Sequence, residues 1–241
     1  MRLPYICCLA AALLLAACSG GNAPTPLDPA AAAKADAEAK AAKLLALYEQ
    51  MRTSGGNDLA ARLGDELLAK YPATAAAAAV RKTLAGVHAQ AAQKAETQRL
   101  AHLWVYTATP EAGGTQYAAA IPSKQTLNTS AKGARIRLVL RQHPKWGQSV
   151  YLLLDNAAFD CRKGCATLAV RLDDAKPERM KATIPSGGEP ALFIDDDKGF
   201  IAKMSRSKTV SIDITLKDGG DQTVAFEVGG YDASKMPNKP K

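Results

Sequence analysis

The chain has 241 residues, with 31 Lys+Arg against 23 Asp+Glu, a formal net charge of +8, and 47% hydrophobic residues inflated by alanine. That apolar content excludes a wholly disordered chain and allows one large domain or two small ones. The basic balance points to an anionic partner.

In chain order, Met1-Arg2 supplies a positive charge and residues 3–17 are almost wholly apolar. Small residues Ala16 and Ala17 then precede Cys18, which is followed by Ser19-Gly20-Gly21. A charged start, a short apolar run and small residues at a cut describe a secretory signal. The run is shorter than the roughly 20 apolar residues that a membrane-spanning helix needs. Leu15-Ala16-Ala17-Cys18 resembles a bacterial lipobox. The resemblance implies removal of residues 1–17 and acylation of Cys18. Each buried methylene of a lipid contributes about 0.8 kcal/mol, and stable anchoring takes more than one chain. Ser19 after the cysteine, by resemblance to Gram-negative lipoproteins, implies the periplasmic face of the outer membrane. In that compartment nucleic acid is not the expected anionic partner. Lipid phosphates, wall carboxylates or an acidic protein are.

Residues 18–29 are rich in Gly, Asn, Ala, Pro and Thr and read as a flexible tether. Residues 30–103 read as helices. In 31–51, Leu44, Leu45, Leu47, Tyr48 and Met51 form an apolar stripe at helical spacing. Gly55-Gly56 breaks that helix. Asn57 or Asp58 is placed to cap a second, in which Leu59, Leu63 and Leu67 recur every four residues up to Tyr71-Pro72. A third helix is expected over 74–103, with Val80, Leu84 and Val87 on one face. The Leu67-Leu68-x-Lys70-Tyr71-Pro72-x-Thr74 pattern before an alanine-rich helix resembles a single tetratricopeptide-type hairpin. One such unit does not bury a core alone, so a helical stalk or small bundle is expected, with a peptide groove as the alternative. His88 and His102 have no metal-spaced companions.

From residue 104 the periodicity alternates. Strands are expected over 103–109, 116–121, 135–141, 149–154, 166–172, 179–184, 191–194, 209–216 and 223–228. Gly113-Gly114, Pro144 with Gly147, Gly187-Gly188 and Gly219-Gly220 separate several of them. Residues 197–204 could instead be a helical turn. The expected fold is α+β: an N-terminal helical hairpin or stalk, then an antiparallel β-sandwich or barrel-like domain over 104–231, then a disordered tail over 232–241.

Beyond Cys18, the exported chain keeps Cys161 and Cys165, which should be disulfide-bonded in an oxidising compartment. Residues four apart on an extended strand lie about 13 Å apart, whereas a disulfide needs Cα atoms within roughly 7 Å. The chain must therefore turn between them. Arg162-Lys163-Gly164 suits a three-residue hairpin loop, so the strand ending at Cys161 is expected to pair with the one leaving Cys165.

Phe159-x-Cys161-x3-Cys165-x5-Arg171-Leu172-Asp173-Asp174, then Ala191-Leu192-Phe193-Ile194, Phe200 and Phe226-Glu227-Val228-Gly229-Gly230-Tyr231, resembles the periplasmic β-domains of TagO/VasI-like proteins associated with type VI secretion. It is also similar to other bacterial lipoproteins of that build. The resemblance covers residues 104–231 and implies a β-domain at the envelope. It brings no catalytic residue with it.

Few residues suggest chemistry. Ser205-x-x-Lys208 has serine–lysine spacing but lacks the companion Ser-Asp-Asn and Lys-Thr-Gly motifs. Asp195-Asp196-Asp197 is short of the six or more oxygen ligands that calcium takes, and reads as a solvated turn. His143 precedes Pro144 with no acid nearby in sequence, and Trp104 and Trp146 read as core or lid residues at strand edges. No catalytic residue, metal site or cofactor is expected.

A charge pattern remains. Ile136, Leu138 and Leu140 share one face of their strand, leaving Arg135, Arg137 and Arg141 on the other. Alternation likewise turns Arg171, Arg179 and Lys181 outward. The expectation is a non-enzymatic, lipid-anchored periplasmic binding or scaffold protein whose basic face meets an anionic envelope component or acidic protein. The alternative is an inhibitor or immunity lipoprotein that neutralises a periplasmic hydrolase or toxin. A third, weaker reading is a metal-assisted enzyme using the aspartate run.

Overall fold

The computed structural model describes residues 28–162, 165–186 and 190–237. The expected signal over 1–17, Cys18, most of the expected tether, Lys163 and Gly164 of the expected hairpin loop, and Gly187 and Gly188 lie outside the described residues. The chain divides into two compact units, Met1–Ala85 and Gly86–Lys241. The division falls inside a helix rather than at the expected 103/104 junction.

In the first unit, α1 spans Pro29–Thr53, with Asp28 accepting from the Ala30 N–H and Pro29 pre-set for the first helical position. Two residues assigned to the tether therefore start a helix. Next, α2 spans Asn57–Lys70. Its cap is Gly56 without a side-chain bond, so Asn57 and Asp58 are its first residues and not its cap. Thr74 caps α3 (Ala75–Arg81) through the Ala77 N–H. The helix expected over 74–103 is interrupted at Lys82-Thr83 and resumes as α4 (Leu84–His102). Lys82 and Thr83 close tight turns onto Ala79 and Val80, and the Thr83 hydroxyl meets the buried Tyr48 hydroxyl at 2.7 Å.

The buried face of α2 is Ala60, Ala61, Gly64 and Leu67, while Leu59 is exposed. Small residues won over the leucine repeat because they let helices approach. Gly64 sits against Tyr48, Val80 and Leu84, where a Cβ would crowd all three.

The second unit holds nine strands among the described residues: β1 (Val105–Glu111), β2 (Gly114–Pro122), β3 (Arg135–His143), β4 (Gly147–Asp155), β5 (Thr167–Leu172), β6 (Glu178–Thr183), β7 (Ala191–Ile194), β8 (Val210–Leu216) and β9 (Gly220–Phe226). They form one antiparallel sheet in the order β1-β2-β3-β4-β7-β6-β5-β8-β9. The fold is thus α+β, with helices first and a single continuous sheet after them. Alternating aliphatics of β3, β4, β5, β8 and β9 converge on one core, which α5 (Asp197–Met204) completes with Phe200 and Met204.

The last turns of α4 belong to this unit. Arg99 pairs with Glu227 at 2.9 Å, Trp104 packs on Tyr231 with ring centroids 5.1 Å apart, and Gly230 lies on the backbone of Leu100 and Ala101. The tail expectation is corrected over its described part. Asp232 donates its N–H to the Tyr106 hydroxyl and caps a short 3-10 turn at Ala233–Lys235.

Cys161 and Cys165 form a disulfide with Cα atoms 5.0 Å apart. The hairpin expected around it is not there. The register Val170↔Ile212 and Leu172↔Val210, carried back along β5 and β8, reaches Ala166 opposite Leu216. Phe159 stands at that position instead. The chain runs beside β8 at Phe159 and again along β5, on the same side of the same strand. The spacing correctly required a turn, but the disulfide cinches the base of an excursion in one strand line.

Candidate functional site

Ladder parity fixes the sides of the sheet. Arg135, Arg137 and Arg141 on β3 stand opposite Asp155, Leu153 and Ser149 of β4. Leu153 and Tyr151 stand opposite Ala191 and Phe193 of β7, and Phe193 opposite Thr183 of β6. Lys181 and Arg179 follow Thr183 at alternate positions, opposite Thr167 and Ala169 of β5, whose Arg171 faces Ser211 of β8. All six basic residues therefore lie on the side of the sheet away from the core.

They do not form one cluster. Strands β4 and β7 separate β3 from β6, roughly 14 Å along the sheet at about 4.8 Å per strand. Arg137 is held by Asp155 at 2.9 Å, Arg141 donates from Nε to the Ser149 hydroxyl, and Arg179 donates to the Thr167 hydroxyl. Arg179 also borders an open groove of about 470 Å³ that carries Asp213 and Asp221. Arg171 lines a second groove of about 840 Å³ with Lys176, Lys208, Asp173 and Asp174. Asp173 there is spent on structure, accepting the N–H groups of Lys208 and Thr209.

Between the two basic groups the outward face is aromatic. Tyr151 and Phe193 stack with centroids 4.8 Å apart. The Arg141 guanidinium lies 5.4 Å from the Tyr151 centroid, 5.5 Å from that of Trp146 and 6.0 Å from that of Phe193. Burial pushes the Tyr151 phenol above its ordinary pKa, against the opposing pull of Arg141 and Arg137.

Trp146 sits on the β3–β4 turn and stacks on His143 at 3.9 Å. His143 is buried, and its Nδ1 accepts the N–H groups of Lys145 and Trp146, so the histidine is a turn-former. The two tryptophans differ sharply. Trp104 is 5% exposed in the core, whereas Trp146 is 65% exposed, contrary to its reading as a core or lid residue.

The aspartate run disperses into local roles. Asp195 accepts from the Thr183 hydroxyl, Asp196 caps α5 through the Gly199 N–H, and Asp197 opens that helix. Among the described residues no group of three or more His, Cys, Asp or Glu is placed to hold a metal ion. The Ser205 hydroxyl donates to the Ile201 carbonyl one turn back. Among the described residues no helix is long and apolar enough to cross a membrane.

Sequence reasoning found the basic residues by alternation, read Trp146 as a core or lid residue, and did not single out Tyr151 and Phe193 as outward. The same alternation placed Tyr151 and Phe193 outward, and Trp146 between Pro144 and Gly147 marked an aromatic on a turn. Comparison with family models, characterised proteins and solved structures returns no match.

Proposed function

We propose that the chain is a non-enzymatic, lipid-anchored binding or scaffold protein of the bacterial envelope, holding an anionic partner on the outward face of its sheet. The observation that carries the reading is the register. Six basic side chains, Arg135, Arg137, Arg141, Arg171, Arg179 and Lys181, alternate with core aliphatics and share one side of nine strands. Such a face attracts anions over about 8 Å at physiological salt. The lipobox-like Cys18 supports the anchoring part, and the TagO/VasI-like resemblance of 104–231 supports a place in the envelope, with secretion as the associated process.

Two measurements test it. Cys18→Ser should move the protein out of the membrane fraction and remove acyl mass; a variant that stays membrane-bound, from a parent without acyl mass, ends the anchoring reading. The Arg171→Glu/Lys181→Glu double variant should lose capture of an envelope component that the wild type retains at low salt and releases at high salt. Equal, salt-insensitive capture by both overturns the binding reading. Recovery of a hydrolase or toxin as the retained component would assign the protein to the inhibitor class instead.

A further inference from the structure

The strongest departure from ordinary surface design is Trp146. Few large apolar side chains are exposed on the second unit, and this one is the largest and the most exposed, at 65%. An indole left in water forgoes the burial that normally holds aromatic residues inside.

The ring is not loose. His143, buried beneath the turn, stacks on it at an interplanar angle of 17°. The Nδ1 atom of that histidine accepts the N–H groups of Lys145 at 3.0 Å and Trp146 at 3.2 Å. The turn therefore fixes its own tryptophan, and the ordering is complete before any ligand arrives.

Arg141 lies over the ring, 5.5 Å from its centroid. Its guanidinium lies within 6.0 Å of the ring centroids of Trp146, Tyr151 and Phe193, and its Nε donates to the Ser149 hydroxyl at 3.2 Å. Among the described residues it makes no ion pair, unlike Arg137, which has Asp155. The planar fork is held by packing, with donors left for a carboxylate.

We propose that Trp146 and Arg141 form a binding site for an acidic glycan, a sugar chain that carries carboxylates. A pyranose ring presents a flat C–H face that stacks on an exposed indole, and a carboxylate carried on a short arm of that ring reaches the guanidinium 5.5 Å from the indole centroid. A phosphate headgroup or a free inorganic anion would use the arginine and leave the indole without a role. Charge favours the same occupant, since Lys145 on the turn extends the positive potential around the platform. This inference rests on the anionic-partner reading and names the partner's chemistry.

Tryptophan emission of the full chain provides the test. The chain has two tryptophans and Trp104 is in the core, so a ligand stacking on the surface alters the signal of Trp146. The probes are the disaccharide of N-acetylglucosamine and N-acetylmuramic acid, which bears a lactyl carboxylate, and the neutral N,N′-diacetylchitobiose. The acidic disaccharide should give a saturable change, with the neutral one weaker by about tenfold, the worth of one charge-assisted contact. Arg141→Gln should bring the acidic sugar down to the neutral level. In Trp146→Ala, followed by calorimetry, binding should vanish while the unfolding midpoint holds.

Equal affinity for both sugars, no emission change with either, or unchanged binding by Trp146→Ala overturns the proposal. Envelope capture that survives Trp146→Ala but fails in Arg171→Glu/Lys181→Glu removes the glycan site and leaves the broader reading standing. Disaccharide binding without salt-sensitive envelope capture does the reverse.

Discussion

Gly230 rests directly on the backbone of Leu100, so that a Cβ at this position would overlap the Leu100 carbonyl and the Ala101 nitrogen. The contact joins the 3-10 turn after β9 to the last turns of α4, beside the Arg99–Glu227 pair and the Trp104–Tyr231 packing. Backbone atoms cannot swing aside as a side-chain tip does. Gly230→Ala should therefore destabilise the protein by about 1–3 kcal/mol, the range of overpacking a close-fitted site. Gly229→Ala is the control, because its Cβ would meet Leu100 and Lys208 at ordinary contact distances of 3.5 and 3.6 Å. Urea unfolding of the two variants should separate them clearly, and equal midpoints would show that the turn yields.

The same junction carries a pH dependence. The hydrogen bond from Arg99 holds the Glu227 carboxyl below its ordinary value, aided by the charges of Arg99 and Lys124 and opposed by desolvation and Glu96. A carboxyl depressed in the folded state contributes stability that is present above its unfolded pKa and is lost as the pH falls through the folded one. The effect is small, because Arg99 is well exposed and solvent screens the pair. Glu227→Gln should flatten the acid side of the stability–pH curve below the usual glutamate range and leave neutral stability slightly reduced. An unchanged acid limb would mean that the pair contributes nothing.

Some of this was legible in the sequence and some was not. All nine strands were, because most of them alternate between aliphatic and polar residues and β7 is a short apolar run, with glycine-containing turns between several of them. Their order was not, since nothing local to Ala191–Ile194 shows that β7 inserts between β4 and β6. The break at Lys82-Thr83 was hidden too. It carries no glycine or proline, and a partner 35 residues away, Tyr48, meets the Thr83 hydroxyl there. The outward placement of the basic residues follows from period-two alternation alone, whereas their separation into two groups depends on strand order. Trp146 was read as a core or lid residue because a tryptophan at a strand edge is ordinarily covered, and exposure is a tertiary property.

The disulfide supports a test of its revised geometry. Closing so short a loop lowers the entropy of the unfolded chain enough to stabilise by about 2 kcal/mol. Since β5 takes its register from β6 and β8, and the segment around Phe159 pairs with β8 independently, the sheet does not depend on the bond. Cys161→Ser/Cys165→Ser should lower stability by about that amount with an unchanged sheet signature in far-UV circular dichroism. Global loss of the sheet would show that the bridge is needed to set the β5 register.

The basic face invites charge reversal, and the structure decides which positions suit it. Arg137 pairs with Asp155 at 2.9 Å, and its Nε is buried without a hydrogen-bond partner. Arg137→Glu would set a second carboxylate diagonally across from Asp155 on the neighbouring strand, within reach of it, where like charges repel. Any loss of partner capture in that variant would be mixed with a loss of stability. Arg171 and Lys181 are exposed and make no ion pair among the described residues, so reversal there removes charge without breaking a contact. Isolated surface charges contribute at most about 1 kcal/mol. Arg171→Glu/Lys181→Glu should accordingly keep the wild-type unfolding midpoint while losing salt-sensitive capture, and Arg137→Glu should lower the midpoint. Thermal unfolding and capture measured on the same preparations check both halves. If Arg137→Glu unfolds like the wild type, the Asp155 pair is not holding β3 to β4; if the double variant captures normally, the partner does not use the β5–β6 side of the face.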